Sequence, residues 1–445
     1  MSTKRFTSGE GAPTAAEAAL AMARGELDAS TLTAHCLARI AEREPAVEAW
    51  TFLDPGHARG QAAALERSLA EGKEPGPLHG VPVGIKDIFA TADMPTENGT
   101  HLHAGRRPEA DAAVVERLRA AGAVIMGKTV TTEFATFEPG KSRNPQDPGR
   151  TPGGSSSGSA AAVAAGMVPL ALGSQTNGSV IRPASYCGVY GFKPSFGLIS
   201  RRGMTLQAPT VDQVGLFARS LEDTALLADV LIGHDPGDSA TRPMAAPRLR
   251  DGLERGRKTA PRLAFVPGPT WAEAEPETQE AFAALAERLQ APEIALPAGF
   301  AEAIEVHRKI TFAELAHYLA PEYRAGPGGL SDRLRAMIEA GQAVAAPDYL
   351  AALEARAALI AAMEPVFGAY DALLTPAATG EAPLGLGSTG SPIFCTIWTL
   401  LGTPALSLPL LTGPAGMPLG VQLVGRRGGD EALLATAAWV EQALG

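Results

Sequence analysis

The feature that most constrains the fold is an alternation, from about residue 81 onward, of short apolar runs with longer helical stretches. "VPVGI", "GAVIMG" and "MVPLALG" have the length and composition of buried strands, and "DAAVVERLRAAG" has helical spacing. The runs "YDALLTPAA", "PALSLPLL" and "LGVQLVG" bring strand character back near the end of the chain. Strands that alternate with helices predict an α/β protein with a mixed, mostly parallel sheet covered by helices on both faces.

The same pattern predicts how the chain is organised. No internal repeat or long linker divides residues 1–445, so we expect one domain. Its motifs lie at 79–200, a variable helical region at about 235–365 covers one face, and 366–445 completes the sheet. Upstream, "STLTAHCLARIAERE" predicts a helix capped by Ser30 and packed through Leu32, Cys36 and Ile40.

Composition narrows the class of protein and its partners. The chain is 45% hydrophobic and 19% charged with a net charge of −10, which is typical of a folded protein with a sizeable core. The acidic balance argues against a nucleic-acid partner, so we expect none, and a homodimer is the default assembly.

Cysteine usage and the N-terminus predict the compartment. Three widely separated cysteines, Cys36, Cys187 and Cys395, contain no CxxC pair and fit a reducing compartment better than a disulfide framework. The first twenty residues lack the apolar core of a signal peptide, and no segment has the apolar length of a membrane span. We therefore expect a cytoplasmic protein with no membrane partner.

A run of serines, "RTPGGSSSGSAAAVAAG", lies between a glycine pair and a helical stretch. A P-loop needs a lysine just before its Ser or Thr, and neither Gly154 nor Gly158 is followed by one. A flexible linker is the plainer interpretation, although the flanks are apolar. The serines by themselves are equally compatible with an ordinary turn and with a functional site.

A lysine ends the first predicted strand. Lys86 follows "VPVGI", where a buried ammonium is costly unless it is paired or neutral. The strand alone favours a lysine that reaches water or pairs with Asp87. A buried lysine with a lowered pKa, able to act as a base, is the other possibility. None of the eight histidines lies beside the serine run in sequence, and "HLH" at 101–103 has no metal-ligand partner, so we expect no metal.

Taken together, the ordered motifs resemble the amidase signature family, serine hydrolases that cleave amide bonds with a Ser, cis-Ser and Lys triad. The resemblance covers most of the chain and rests on "GVPVGIKDIF", "NPQDPGRTPGGSSSGSAAAVAAG", "NGSVIRPASYCGVYGFKPSFGLISRRG" and "GTPALSLPLLTGPAGMPLGVQLVGR". It implies a single amidase-signature domain and amide hydrolysis through a serine acyl-enzyme, without a cofactor.

Carried onto this sequence, the resemblance implies Lys86 as the base, Ser155 as the cis-serine and Ser179 as the nucleophile. Ser156 is expected to help hold the lysine. The peptide N–H groups of the loop before and at the nucleophile are expected to form the oxyanion hole; these residues are Thr176, Asn177, Gly178 and Ser179.

One departure from the commonest family pattern concerns substrate binding. Gln175 stands where an aspartate is usual, and Arg182 comes three residues after the nucleophile, similar to a malonamidase-like branch. Arg182 is expected either to hold a substrate carboxylate or to pair with an acid inside the fold.

The resemblance implies a linear-amide amidohydrolase of the EC 3.5.1 type acting on a small carboxylic amide. The alternative is a protein like the glutaminase component of the tRNA-dependent amidotransferases, which supplies ammonia in a transamidation complex.

Overall fold

The apolar runs form strands of one sheet in the computed structural model, which describes residues 13–444. Residues 1–12, where the sequence predicts no signal peptide, and residue 445 lie outside the described part. Within it the strands are β1 (Trp50–Leu53), β2 (Pro82–Lys86), β3 (Val124–Thr129), β4 (Leu170–Gln175), β5 (Tyr190–Lys193), β6 (Gln213–Ala218), β7 (Leu263–Phe265), β8 (Ala372–Pro376), β9 (Ala405–Thr412) and β10 (Pro418–Val424).

The sheet is mixed, with the strand order β1-β3-β2-β4-β6-β5-β9-β10-β8-β7 over the described residues. Strand β2 is parallel to both β3 and β4, and β7 is parallel to β8. The other neighbouring pairs are antiparallel. The α/β class and the mixed sheet are confirmed, but the parallel share is smaller than predicted. Short connections such as the turn between β9 and β10 join only antiparallel neighbours.

Helices cover both faces of the sheet, as predicted. In the described residues they are α1 (Ala15–Ala23), α2 (Ala29–Val47), α3 (Pro55–Ala70), α4 (Ala113–Ala120), α5 (Ser157–Ala164), α6 (Ile181–Cys187), α7 (Leu221–Leu231), α8 (Leu249–Arg255), α9 (Pro276–Arg288), α10 (Ala303–Tyr318), α11 (Ala320–Ala325), α12 (Asp332–Gln342), α13 (Ala346–Ala369), α14 (Ile393–Leu401) and α15 (Asp430–Leu444). Helices α4, α7, α8, α9 and α15 pack on one face. Helices α2, α3 and α5, and then α10, α13 and α14, pack on the other face.

Helix α2 differs from its prediction at both ends. Its predicted core residues Leu32, Cys36 and Ile40 are buried. The cap is Asp28 rather than Ser30, because the Asp28 carboxylate accepts a hydrogen bond from the Thr31 N–H at 2.6 Å. The helix therefore starts two residues before the start that a Ser30 cap predicts, and it ends at Val47 instead of Glu44.

The middle region differs from its prediction. It adds strand β7 at the sheet edge, and its helices pack on both faces instead of one. Helices α8 and α9 pack on one face through residues such as Leu249 and Phe282, whereas α10 and α13 pack on the other through Ile310 and Leu359. Sequence periodicity gives the apolar side of a helix but not the sheet face that it meets. None of the described helices combines the length and apolarity needed to cross a bilayer.

Candidate active site

The candidate site forms where two parallel strands end. Strand β2 ends at Lys86, and its neighbour β4 ends at Gln175. The carboxyl ends of adjacent parallel strands lie at the same sheet edge, where α/β proteins commonly place ligands. The serine run reaches this edge just before helix α5. The strand that ends at Lys86, the serine run and the loop that follows β4 therefore meet in space.

Lys86 is fully buried, and its described hydrogen-bond partners are hydroxyl groups. Its Nζ donates to Ser155 Oγ at 2.7 Å and to Ser174 Oγ at 2.8 Å. Burial lowers the pKa of Lys86 well below its ordinary value, and the more distant Asp212 carboxylate offsets only part of that effect. The neutral amine is thereby favoured, which is the form that a base requires.

Asp87 does not pair with Lys86, although it is the next residue. Its side chain points to the neighbouring strand and forms a buried ion pair with Lys128, 3.0 Å away. Lys128 also donates to the Phe89 and Pro95 carbonyls and to Thr96 Oγ1. The interpretation of Lys86 as a paired or solvent-reaching lysine is therefore wrong.

The serine run supplies one direct partner of Lys86. The Gly154–Ser155 peptide is cis, and Ser155 contacts the lysine. Ser156 does not: its Oγ donates to the Ser174 carbonyl and accepts from the Ser174 N–H, both at 3.3 Å. Ser156 thus reaches the lysine only through Ser174. Sequence reasoning missed Ser174, whose one signal was a hydroxyl inside the apolar run "LALGSQ".

The loop from Thr176 to Ser179 presents peptide N–H groups. Within the described residues, those of Asn177, Gly178 and Ser179 donate to no protein acceptor. Gln175, the departure from the usual aspartate, accepts the N–H groups of Val180 and Ile181 at 2.8 and 3.0 Å and so holds the turn into α6. A Cβ at Gly178 would lie 2.8 Å from Pro392 Cβ, so the loop can pack this closely only with glycine. The geometry suits an oxyanion site, and the catalytic roles stay predictions.

Arg182 lies beneath this loop and is buried without an acid partner in the described chain. Its Nη2 donates to the Gly154 carbonyl at 2.6 Å and to Thr389 Oγ1 at 3.1 Å. The remaining nitrogens, Nε and Nη1, are buried with no hydrogen-bond partner among the described residues. No carboxylate forms an ion pair with Arg182 there, so of its two expected roles the structure does not provide the internal acid.

A cavity of about 200 Å³ opens at Ser179. Its wall is largely apolar, and the apolar residues include Phe137, Ile304, Phe312, Leu315, Met337, Pro392 and Ile393. Arg182 and Arg308 line it, and no aspartate or glutamate is among its described lining residues. Arg308 is paired with Glu305 at 2.7 Å.

His307 also lines the cavity, although no histidine lies near the serine motifs in sequence. It lies on helix α10 in the variable region, where no local pattern marks a site. Cys187 and Cys395 are buried beside the site and free of disulfides, and burial raises the pKa of the Cys395 thiol to about 12.

Comparison with known proteins gives consistent matches along the chain. The family model described as Amidase matches residues 31–434. The A subunit of glutamyl-tRNA(Gln) amidotransferase from Synechococcus sp. (strain RCC307) is 34% identical, over 95% of this chain and 96% of the relative. The protein of the same name from Chloroflexus aurantiacus is 36% identical, over 95% and 94%.

Solved structures agree with the fold. A chain from a vestigial protein complex, described as revealing the origins of an s-triazine catabolic enzyme, superimposes with a TM-score of 0.91 and 29% identity. The match covers 97% of this chain and 98% of that one. Native peptide amidase from Stenotrophomonas maltophilia gives a TM-score of 0.83 and 29% identity over 96% of each chain.

These relatives correct the predicted partners. The acidic net charge predicted no part for nucleic acid, and a homodimer was the default assembly. Both expectations are wrong in light of curated relatives named as one component of an amidotransferase for glutamyl-tRNA(Gln). The net charge of a single chain does not determine what a larger assembly acts on.

Proposed function

This chain belongs to the amidase family, and from that premise we propose that it cleaves carbon–nitrogen amide bonds through an acyl-enzyme on Ser179. The observation that carries the proposal is Lys86, a fully buried amine 2.7 Å from Ser155 Oγ, with no carboxylate partner in the described chain. A neutral amine in this position can accept a proton that a serine hydroxyl relays.

In the proposed reaction, Ser179 Oγ attacks the amide carbonyl carbon while its proton passes to Ser155, and the Ser155 proton passes to Lys86. The oxyanion is bound by the N–H groups of Asn177, Gly178 and Ser179, with Thr176 at the start of the loop. The relay then runs backward and protonates the leaving nitrogen as the C–N bond breaks. Water attacks the acyl-enzyme by the same route and releases the acid.

The curated relatives support one candidate for the amide substrate. By similarity to these amidotransferase components over 95% of its length, this chain would hydrolyse glutamine and supply ammonia within a larger assembly linked to a glutamyl-tRNA. A cytoplasmic location, predicted from its free cysteines, fits that role.

The cavity supports a second candidate for the substrate, a small carboxylic amide. The α-ammonium of glutamine would meet no carboxylate among the described lining residues, whereas an apolar acyl group would be covered by side chains such as Phe312. Arg182 lines the cavity without a carboxylate partner in the described chain, and a guanidinium favours anionic amides such as malonamate.

Ammonia release by the purified protein tests both. We expect wild type to release ammonia from at least one of glutamine, malonamate and neutral alkyl or aryl amides, and Ser179→Ala to release none. Release from glutamine alone, enhanced by a co-purifying partner, would assign the role in transamidation. Preference for malonamate or apolar amides would assign a small-amide hydrolase. Equal release by Ser179→Ala would contradict the proposed nucleophile.

A further inference from the structure

The loop carbonyls determine where the loop N–H groups point. In a planar trans peptide, the carbonyl of one residue and the N–H of the next point in opposite directions. Holding the carbonyls of Thr176, Asn177 and Gly178 therefore aims the N–H groups of Asn177, Gly178 and Ser179.

Each of these carbonyls has a donor. The Asn177 carbonyl accepts from Thr399 Oγ1 at 2.5 Å, and the Gly178 carbonyl accepts from the backbone N–H of Arg182 at 3.0 Å. The Thr176 carbonyl accepts from His307 Nε2 at 2.9 Å. The first two donors lie on helices that pack directly around the loop, α14 and α6. The third lies on α10, in the variable region.

The protonation state of His307 follows from its surroundings. A carbonyl only accepts, so Nε2 carries the hydrogen. His307 is 3% exposed, and burial lowers its pKa to about 4. The imidazole is therefore neutral at pH 7 and holds the Thr176 carbonyl as an uncharged donor.

We infer that His307 is a positioning residue: by holding the Thr176 carbonyl, it aims the Asn177 N–H at the oxyanion that forms at Ser179. The inference rests on the proposed serine chemistry. It adds a residue from outside the serine motifs that determines the orientation of an oxyanion-binding N–H group. Small misplacements of a reacting geometry can cost about a hundredfold in rate, so loss of this hydrogen bond should slow the reaction even in a variant that stays folded.

Labelling with a fluorophosphonate tests this without knowledge of the substrate. The reagent forms an Oγ–P bond with the serine, releases fluoride and develops charge on a phosphoryl oxygen that needs the same N–H groups. Labelling of Ser179 is followed by mass spectrometry. We expect His307→Leu to label about tenfold to a hundredfold more slowly than wild type, and His307→Gln, whose amide N–H reaches a similar point, to recover most of the rate.

Controls separate positioning from folding. Ile310→Val loses packing from the same helix without touching the loop, and it should label like wild type although its melting temperature falls slightly. If His307→Leu proves unstable, His307→Asn replaces it, because Asn keeps a polar side chain too short to reach Thr176 and should also label slowly.

The labelling experiment distinguishes failure of the proposed function from failure of the role inferred for His307. Wild-type protein that is not labelled at Ser179 would overturn the proposed function, and the inference with it. Wild type that labels normally, with folded His307→Leu or His307→Asn labelling equally fast, would overturn the role of His307 alone. Where an amide substrate is known, the same variants should lower kcat and leave KM nearly unchanged.

Discussion

At the scale of single residues, burial gives Lys86 its chemistry. The side chain has no exposed surface, and its described partners are the hydroxyls of Ser155 and Ser174. Desolvation penalises the ammonium form, and no carboxylate of the described chain lies near enough for an ion pair to compensate for it. Burial thus favours the neutral amine over the ammonium that a lysine ordinarily carries, as the proposed role of Lys86 as a base requires.

The pH dependence of kcat/KM checks this state of Lys86. Because its pKa is lowered, Lys86 is neutral above the folded-state value and gains a proton as pH falls through it. We expect kcat/KM to fall on the acid side with a single protonation whose midpoint lies well below 10.5. Lys86→Met should lose about 10²–10⁴-fold in rate together with this limb. A midpoint near 10.5 would contradict the assignment.

At the scale of elements, β2 and β3 each carry a buried lysine with a different role. Lys86 ends β2 among hydroxyls, whereas Lys128 on β3 forms an ion pair with Asp87 at 3.0 Å. The parallel pairing of these strands puts residue 86 opposite Thr129, beside Lys128. Of these two neighbouring lysines, only Lys128 has a carboxylate partner, so we expect it to contribute to stability. Lys86 has no such partner, as its proposed role as a base requires.

Substituting each lysine with methionine separates these roles. Lys128→Met leaves Asp87 buried without its partner, which we expect to lower the free energy of unfolding by about 3–5 kcal/mol. Lys86→Met leaves buried hydroxyls without their donor but no buried charge, and should lower it by only about 1–3 kcal/mol. Urea unfolding at pH 7 measures both. Similar losses in the two variants would contradict the contrast.

At the scale of the whole molecule, the cavity is assembled from distant parts of the chain. Phe137 follows β3, Phe312 lies on α10, Met337 on α12 and Ile393 opens α14. The serine motifs supply the reacting end, and the middle region supplies most of the apolar wall. We therefore expect the apolar wall to determine substrate choice and the serine motifs to determine the reaction.

Phe312→Ala tests that separation. Removing the ring exposes the cavity to water and loses apolar contact with the acyl group, and one such contact is worth about 1–3 kcal/mol. We expect kcat/KM for apolar amides to fall about tenfold or more, with fluorophosphonate labelling of Ser179 little changed. Loss of labelling to the same extent would show that Phe312 supports the chemistry instead.

Apolar periodicity and contiguous motifs are local properties, and from them the sequence alone supported the α/β class, the main strands and the family; the link between Lys86 and Ser155 came only from the family resemblance. The sequence overestimated the parallel share of the sheet and did not find Ser174 or His307. Nothing in "EVHRKITF" marks a site, since His307 meets Thr176 only after α10 packs beside the loop. Which lysine pairs with Asp87 also depends on the tertiary structure. Alternation along a strand determines the sheet face on which a side chain lies, whereas the neighbouring strands determine which partner it meets there. Contacts between distant segments depend on how elements pack, and that information is spread over the whole chain.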